Sequence, residues 1–571
     1  MRRSWSQVYL PVAAVAAVLR CWAAVALAGS PLRNFHLVPG LDMQTLLERG
    51  EWGATASPLF TLHRMLVAFF WSVNGRSHQV MQLAGVQLVL GVVAALLTAW
   101  IVLHLFGSRR YALAAGMVAA LYGPALMYEC TMLQESMVTF ACLAAVVSLI
   151  RAHRLHWGGG AALASGVLFG LATIGRPTAL LLAGGAVLWF WLELKRRNRL
   201  RRWWTLPGGI LVVWILIGGL NWHYSRNWSP FFNVLPYSAS VNTGGETPSS
   251  AVPESKAAFE LPPPVRIGVN AVKRLPVLFC AHEVPDNLNY YFIREMFPPL
   301  RMSCGPWLVL PLAVAGMVLL LFSGRWKRRD GLLLGVILLL MLPLCANYPM
   351  GRYRLLLYPY LSILAVYPAW WALRCGPEGC RKRTVWMLAA VAGSAGLNLA
   401  LSERPFVRGS DFVAWAMAME EGGKRVSEAS LQTFEQGLAE SGFTEQAALV
   451  NLMVRLIPAG QLDRAEGLLA KAFEAGAIEP ALLWYYGGLV KLGQGRFDAA
   501  AAALERSDPA RLGILASKRS FFEGEARRLK GDNAGAARCY RRALTEEPLP
   551  SFRPLIEEAL KNLPETGRTT E

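Results

Sequence analysis

Seven charged residues of this chain stand where a charge is costly: beside or between long apolar runs. Asp42, in Pro39-Gly40-Leu41-Asp42, is the first acidic residue and follows the first apolar run. Its type suits a general base that takes a proton from a hydroxyl nucleophile. Its plainer role is an N-cap for the helix-like sequence that runs on to Gly50, and the two roles are compatible. Glu129 and Glu135 flank a short turn in Tyr128-Glu129-Cys130-Thr131-Met132-Leu133-Gln134-Glu135. Nearly two helical turns of offset let both look into one vestibule, the bland alternative being solvation at an interface. Arg352 and Arg354, in Gly351-Arg352-Tyr353-Arg354-Leu355, suit a phosphate or diphosphate gripped by paired hydrogen bonds; the alternative is snorkelling to lipid headgroups. Arg20, inside the first apolar run, and Arg176, in Gly175-Arg176-Pro177, are further candidates whose plainer reading is structural.

Apolar segments must position these groups. The chain has 571 residues, 54% apolar and 17% charged, against roughly 25% charged in ordinary soluble domains. Residues 404–571 carry 22 basic and 23 acidic residues, and the first 403 carry 35 and 15. That composition excludes disorder and a fully soluble enzyme. Runs long enough to cross roughly 30 Å of hydrocarbon recur near 8–29, 79–105, 111–128, 136–150, 160–175, 177–193, 206–223, 305–323, 331–346, 354–373 and 384–401. Gly175-Arg176-Pro177 reads as a turn between two of them or as a kink. The expected fold class is therefore all-α: a polytopic membrane domain of about eleven spans over 1–403, then a soluble helical domain over 404–571.

With a cytoplasmic N-terminus, 20 basic residues fall in six short cytoplasmic segments: Arg2-Arg3, Arg109-Arg110, Arg151 and Arg154, the run 195–202, the run 325–329, and Arg374 with Arg381–Arg383. This asymmetry is the one that orients membrane proteins, so the high isoelectric point is a topology signal and no nucleic-acid partner is expected. The odd count puts the C-terminal domain outside the cytoplasm. The stretches 30–78 and 224–304 lie on the same outer side, the first with an amphipathic run, Leu59 to Val73, suited to the interface. Cys280 and Cys304 share the second stretch and are placed to form a disulfide, whereas Cys375 and Cys380 fall on the reducing side.

Within 445–563 three stretches are alike: Gly460-Gln461-Leu462-Asp463-Arg464-Ala465, Gly495-Arg496-Phe497-Asp498-Ala499-Ala500 and Gly531-Asp532-Asn533-Ala534-Gly535-Ala536. Their spacings of 35 and 36 are near the period of tetratricopeptide repeats. A partner-binding groove and a stabilising appendage are both open readings. No His-Glu-x-x-His, Gly-x-Ser-x-Gly or Walker motif occurs anywhere.

An ordered set of pieces then carries a resemblance across about residues 1–400. An outer-loop Asp is followed by Ser57-Pro58-Leu59-Phe60. Leu105-Phe106-Gly107 ends a span, and Tyr122-Gly123-Pro124 with Tyr128-Glu129, Gly175-Arg176-Pro177, Arg226-Asn227, Asn242-Thr243-Gly244-Gly245 and Arg352-Tyr353-Arg354-Leu355 come after it. The order resembles GT-C fold glycosyltransferases, particularly the bacterial relatives of protein mannosyltransferases and aminoarabinose transferase. The resemblance implies an inverting transfer from a polyprenyl-phosphate sugar held in membrane lipid to a protein, lipid or glycan acceptor, on the outer face of a bacterial inner membrane. It implies Asp42 as catalytic carboxylate, Glu129 or Glu135 as the acidic position of the second outer loop, and Arg352 and Arg354 near the donor phosphate, with Arg176 a further candidate there. Asp42 is followed by Met43 and has no acidic partner, and Leu356 stands where the family has Pro. No cofactor is required by the residues, and a divalent cation is compatible with them. The alternatives are a ligase or polymerase using a lipid diphosphate, and a non-catalytic scaffold acting through its C-terminal repeats on a protein partner.

Overall fold

The computed structural model describes residues 5–34, 76–131, 133–155, 159–225, 263–280, 282–283, 288–322, 328–346, 351–374, 377–401, 407–420, 426–546, 548 and 550–563. Among the described residues it is 85% helical and has no strand. The chain divides into two compact units, Met1–Phe406 and Val407–Glu571. Among the described residues of the first, five helices are long and apolar enough to cross a bilayer: Ser6–Ala28, Met81–Phe106, Glu135–Arg154, Leu200–Leu220 and Gly351–Ala372. Asp42, the Leu59–Val73 run and the outer-loop pieces Ser57–Phe60, Arg226-Asn227 and Asn242–Gly245 lie outside the described residues.

The first unit begins with α1 (Leu10–Ala28), α2 (Arg76–Phe106), α3 (Arg109–Leu121) and α4 (Gly123–Glu129). Ser108 caps α3 by accepting the Tyr111 N–H at 3.3 Å. The run 111–128, expected as one span, is broken at Tyr122, which takes an extended conformation ahead of Gly123-Pro124. Pro124 has no N–H to return to Ala120 O, and its ring crowds that carbonyl, which takes a hydrogen bond from Arg20 instead. The backbone freed by the break is satisfied by strand-like pairing: Gly123 N–H donates to Cys304 O at 2.9 Å, and Cys304 N–H to Leu121 O at 2.7 Å. Buried backbone that leaves a helix needs such a partner. Cys304 and Cys280 are free thiols, so the expected disulfide is not formed.

Next come α5 (Glu135–Arg154), α6 (Gly159–Gly175), α7 (Ala179–Arg196) and α8 (Thr205–Ser225). Gly175-Arg176-Pro177 is a true turn: α6 stops there and α7 folds back from it, with Arg176 N–H closing on Ala172 O at 2.8 Å. Helices α6 and α8 meet backbone to backbone. A Cβ on Gly166 would lie 2.1 Å from Leu206 O, and one on Gly209 would lie 2.5 Å from Leu163 O. Small residues are what permit this approach between apolar helices, where packing substitutes for a hydrophobic driving force. After them follow α9 (Pro263–Leu278), α10 (Tyr290–Met296), α11 (Pro298–Arg301), α12 (Pro306–Phe322), α13 (Arg328–Ala346), α14 (Gly351–Arg354), α15 (Tyr358–Ala372) and α16 (Pro377–Leu401). Helix α15 packs on α12 through Gly316, whose Cβ position would fall 2.0 Å from Leu364 O.

The second unit runs from α17 (Gly409–Met419) and α18 (Glu428–Glu440) into three successive helical hairpins: α19 (Gln446–Leu456) with α20 (Leu462–Ala475), α21 (Pro480–Gly493) with α22 (Phe497–Arg506), and, beyond the short α23 (Pro509–Leu512), α24 (Ala516–Leu529) with α25 (Asn533–Thr545). Helix α26 (Arg553–Lys561) closes the unit. Each of the three matching glycines ends the first helix of its hairpin in the left-handed region, at φ 72°, 75° and 94° for Gly460, Gly495 and Gly531. The next N–H then returns to the helix: Gln461 to Leu456 O, Arg496 to Lys491 O and Asp532 to Arg527 O, at 2.9–3.0 Å. This is the Schellman closure that glycine allows at no steric cost. One helical turn of small-then-large residues follows each glycine, and Ala465/Leu469, Ala500/Leu504 and Ala536/Tyr540 are all buried.

Gly166→Leu should force α6 and α8 apart. Overpacking of this kind costs about 1–3 kcal/mol, so a thermal melt of the purified protein in detergent should show a lower transition than wild type.

Candidate functional site

Glu129 ends α4, reached directly after the break at Tyr122, and Glu135 opens α5. Both carboxylates are buried, and each meets an arginine distant in sequence. Glu129 Oε1 lies 2.8 Å from Arg20 Nη2. That guanidinium sits within span α1 and also donates to the carbonyls of Ala120 at 3.0 Å and Ala16 at 3.4 Å. Room for the carboxylate comes from α2: a Cβ on Gly91 would fall 2.2 Å from Glu129 Oε1. Glu135 pairs with Arg176, presented by the turn between α6 and α7.

Arg176 continues this group to the Arg-Tyr-Arg motif. Its guanidinium carbon stands 4.2 Å from the centroid of the Tyr353 ring, and that of Arg352 stands 4.9 Å from the same centroid. Arg352 also donates to Tyr353 Oη at 3.1 Å. The electron-rich ring face holds cations at such distances, so one tyrosine gathers two guanidinia beside a buried carboxylate. Part-buried guanidinia such as these two are suited to an anion with several oxygens.

Arg354 faces elsewhere, and the expectation of a phosphate ligand at this position requires correction. Its side chain is 3% exposed, and it meets Glu283 Oε2 at 2.8 Å. It also donates to the carbonyls of Val277, Cys280 and His282 at 3.2, 3.1 and 3.0 Å. These bonds bind the end of α9 and the following segment to the end of α14, and they commit the guanidinium to the protein itself. Gly351 makes way for the partner: a Cβ there would lie 2.4 Å from Glu283 Oε1. His282, beside Arg354, has its pKa lowered from the usual 6.5, by burial first and by the Arg354 charge second.

Glu135 Oε2 has no hydrogen-bond partner among the described residues, and three further oxygens share that state around one cavity. Glu129 Oε2, Ser136 Oγ and Thr139 Oγ1 have no hydrogen-bond partner among the described residues. All three residues border one small cavity with Gly91, Ala125, Leu355 and Tyr358, and the Tyr358 ring stacks on Tyr122 at 5.5 Å between centroids. The cavity is polar on one wall and water-sized.

The structure thus brings Glu135, Arg176 and Arg352 together around Tyr353, places Glu129 in a separate pair with Arg20, and withdraws Arg354 into packing. Asp42 lies outside the described residues. No group of three or more His, Cys, Asp or Glu side chains converges as metal ligands among the described residues. Sequence reasoning passed over Tyr353, Glu283, Gly91, Ser136 and Thr139. Glu283 was findable in principle: a buried arginine demands a carboxylate, and Glu283 is one of few acids in the segment after α9.

Arg20→Met should destabilise the first unit by about 3–5 kcal/mol, since it strands Glu129 in an apolar interior. Arg20→Met combined with Glu129→Leu should recover most of that loss, as a double-mutant cycle of detergent melts will read. A histidine held neutral in the fold makes stability fall with pH once the unfolded chain takes up its proton. Melting temperature should therefore drop as pH falls below about 6.5, and His282→Gln should flatten part of that slope. Compared with known proteins, the chain matches no family model, no curated protein and no solved structure.

Proposed function

We propose that this chain is a membrane glycosyltransferase of the GT-C type, moving a sugar from a polyprenyl-phosphate donor to an acceptor hydroxyl. The observation that carries the reading is the gathering of Arg176 and Arg352 around Tyr353, next to buried Glu135, in a unit with bilayer-length apolar helices. In this reading the two guanidinia take the donor phosphate. Loss of the sugar leaves charge on the phosphate oxygens, and preorganised cations stabilise that charge as it develops. Asp42 accepts the proton of the attacking hydroxyl, which is too weak a nucleophile unassisted. Glu135 orients Arg176, and Glu129, engaged by Arg20, supports the wall of the small polar cavity and does not touch the acceptor. A donor that arrives through the lipid explains why the sequence has no nucleotide-binding loop.

About eleven spans, a cytoplasmic N-terminus and an outer location for the C-terminal unit complete the reading. The charge distribution supports it: α5 separates a Glu135 end from an Arg154 end over 20 residues, roughly 30 Å, with the basic turns 151–154 and 195–202 joined at the latter by the His153–Glu193 contact. The three hairpins with their glycine-closed turns support a tetratricopeptide-like domain. They also favour a second reading, a scaffold that recruits a protein partner through that domain.

Transfer of radiolabel from polyprenyl-phosphate sugars to membrane acceptors, in nanodiscs, tests the proposal. Asp42→Asn should abolish turnover with folding intact. Arg352→Gln and Arg176→Gln should each lower it by about 100-fold. No turnover with any monophosphate donor would reject the assignment and shift the case to a lipid-diphosphate ligase. If, in addition, deletion of 445–563 destroyed biological function while Asp42→Asn did not, the scaffold reading would hold.

A further inference from the structure

The opposite end of the helices carries a second concentration of charge that the proposed reaction does not use. Helix α7 ends in a left-handed turn at Asn198, φ 53°, with Arg199 N–H returning to Leu194 O at 3.0 Å. A single 3-10 turn, Leu200–Arg202, then leads to Trp203, Trp204 and α8. Every residue from 195 to 204 is exposed. The run contains Lys195, Arg196, Arg197, Arg199, Arg201 and Arg202 and no acidic residue. Beneath it lies one buried carboxylate, Glu193, which Arg197 meets at 3.1 Å, Arg196 at 3.8 Å and His153 at 3.6 Å. The His153 contact sets exposed Arg151 and Arg154, at the end of α5, beside the same surface.

Two further features select the partner. Trp203 and Trp204 are 54% and 57% exposed, and Leu200 stands out between the arginines. Two indole rings at the end of a cationic run match the headgroup layer, where an apolar body and a charged rim are both solvated. The segment also forms one end of the apolar helix Leu200–Leu220, and so stands at the depth where a spanning helix leaves hydrocarbon.

We propose that residues 195–204, with Arg151 and Arg154, form a binding surface for the headgroups of anionic phospholipids. The guanidinia grip the phosphate and the tryptophans lie along the upper acyl chains. The site is independent of the glycosyltransferase reading.

Native mass spectrometry of the full-length protein in neutral detergent, with added phosphatidylglycerol or phosphatidylcholine, tests it. Wild type should retain phosphatidylglycerol in preference. The triple change Arg199→Gln, Arg201→Gln, Arg202→Gln should weaken that binding by roughly 100-fold, since each basic residue near an anionic surface contributes a factor of about five. Arg381→Gln with Lys382→Gln, on another exposed basic segment, should leave it unchanged. Should the triple variant fail to fold, Arg201→Gln alone should weaken binding about fivefold. Equal retention of both lipids, an unaltered triple or single variant, or an equal loss in the control pair would each overturn the proposal. Displacement of the lipid by millimolar inorganic phosphate would overturn it too, by making this a site for soluble anions.

Discussion

A charge inside an apolar helical unit must find its opposite, and the first unit is organised around that requirement. Glu129, Glu135 and Glu283 are buried, and each is met by an arginine from a different part of the chain: Arg20, Arg176 and Arg354. Unpaired, any one of these groups would cost several kcal/mol. The pairs therefore tie α1 to α4, the α6–α7 turn to α5, and the segment after α9 to α14. Glycines complete two of them, since Gly91 and Gly351 leave the space that the Glu129 and Glu283 carboxylates fill.

The same requirement separates arginines that look alike in sequence. Arg352 and Arg354 are two residues apart, yet Arg354 is absorbed by a carboxylate and a row of carbonyls while Arg352 rests against Tyr353 near Arg176. A helical turn places residues i and i+2 on different faces, and the neighbours on those faces give each arginine its role. The Arg176–Tyr353–Arg352 group stands apart from the Arg354 pair, with the polar cavity beside Glu129 as a distinct feature.

The second unit follows another logic. Its charges balance, and its repeated element is a backbone device: a helix that ends on a left-handed glycine, a 6→1 hydrogen bond, and a return helix that packs an alanine and then a larger side chain. At Gly488 and Gly524 the first helix comes close to the large residue of the second, Leu504 and Tyr540. Contacts of this kind are local, so neighbouring hairpins stabilise one another in series.

Composition and periodicity by themselves determined the helical class, the apolar runs, the basic turns and the three glycine-closed hairpins, because each depends on residues near one another in the chain. Gly460, Gly495 and Gly531 were legible for that reason: the left-handed turn is a property of the glycine and the few residues around it. Tertiary structure supplied the partner for the proline break at Tyr122, where the buried backbone freed by it is satisfied by Cys304 from 182 residues away. It kept Cys280 and Cys304 as free thiols, and it sorted the arginines. Which carboxylate meets which guanidinium is a matter of long-range packing, and neither spacing nor residue type encodes it. Glu283 and Tyr353 gain their meaning only when Arg354 and Arg176 are folded against them.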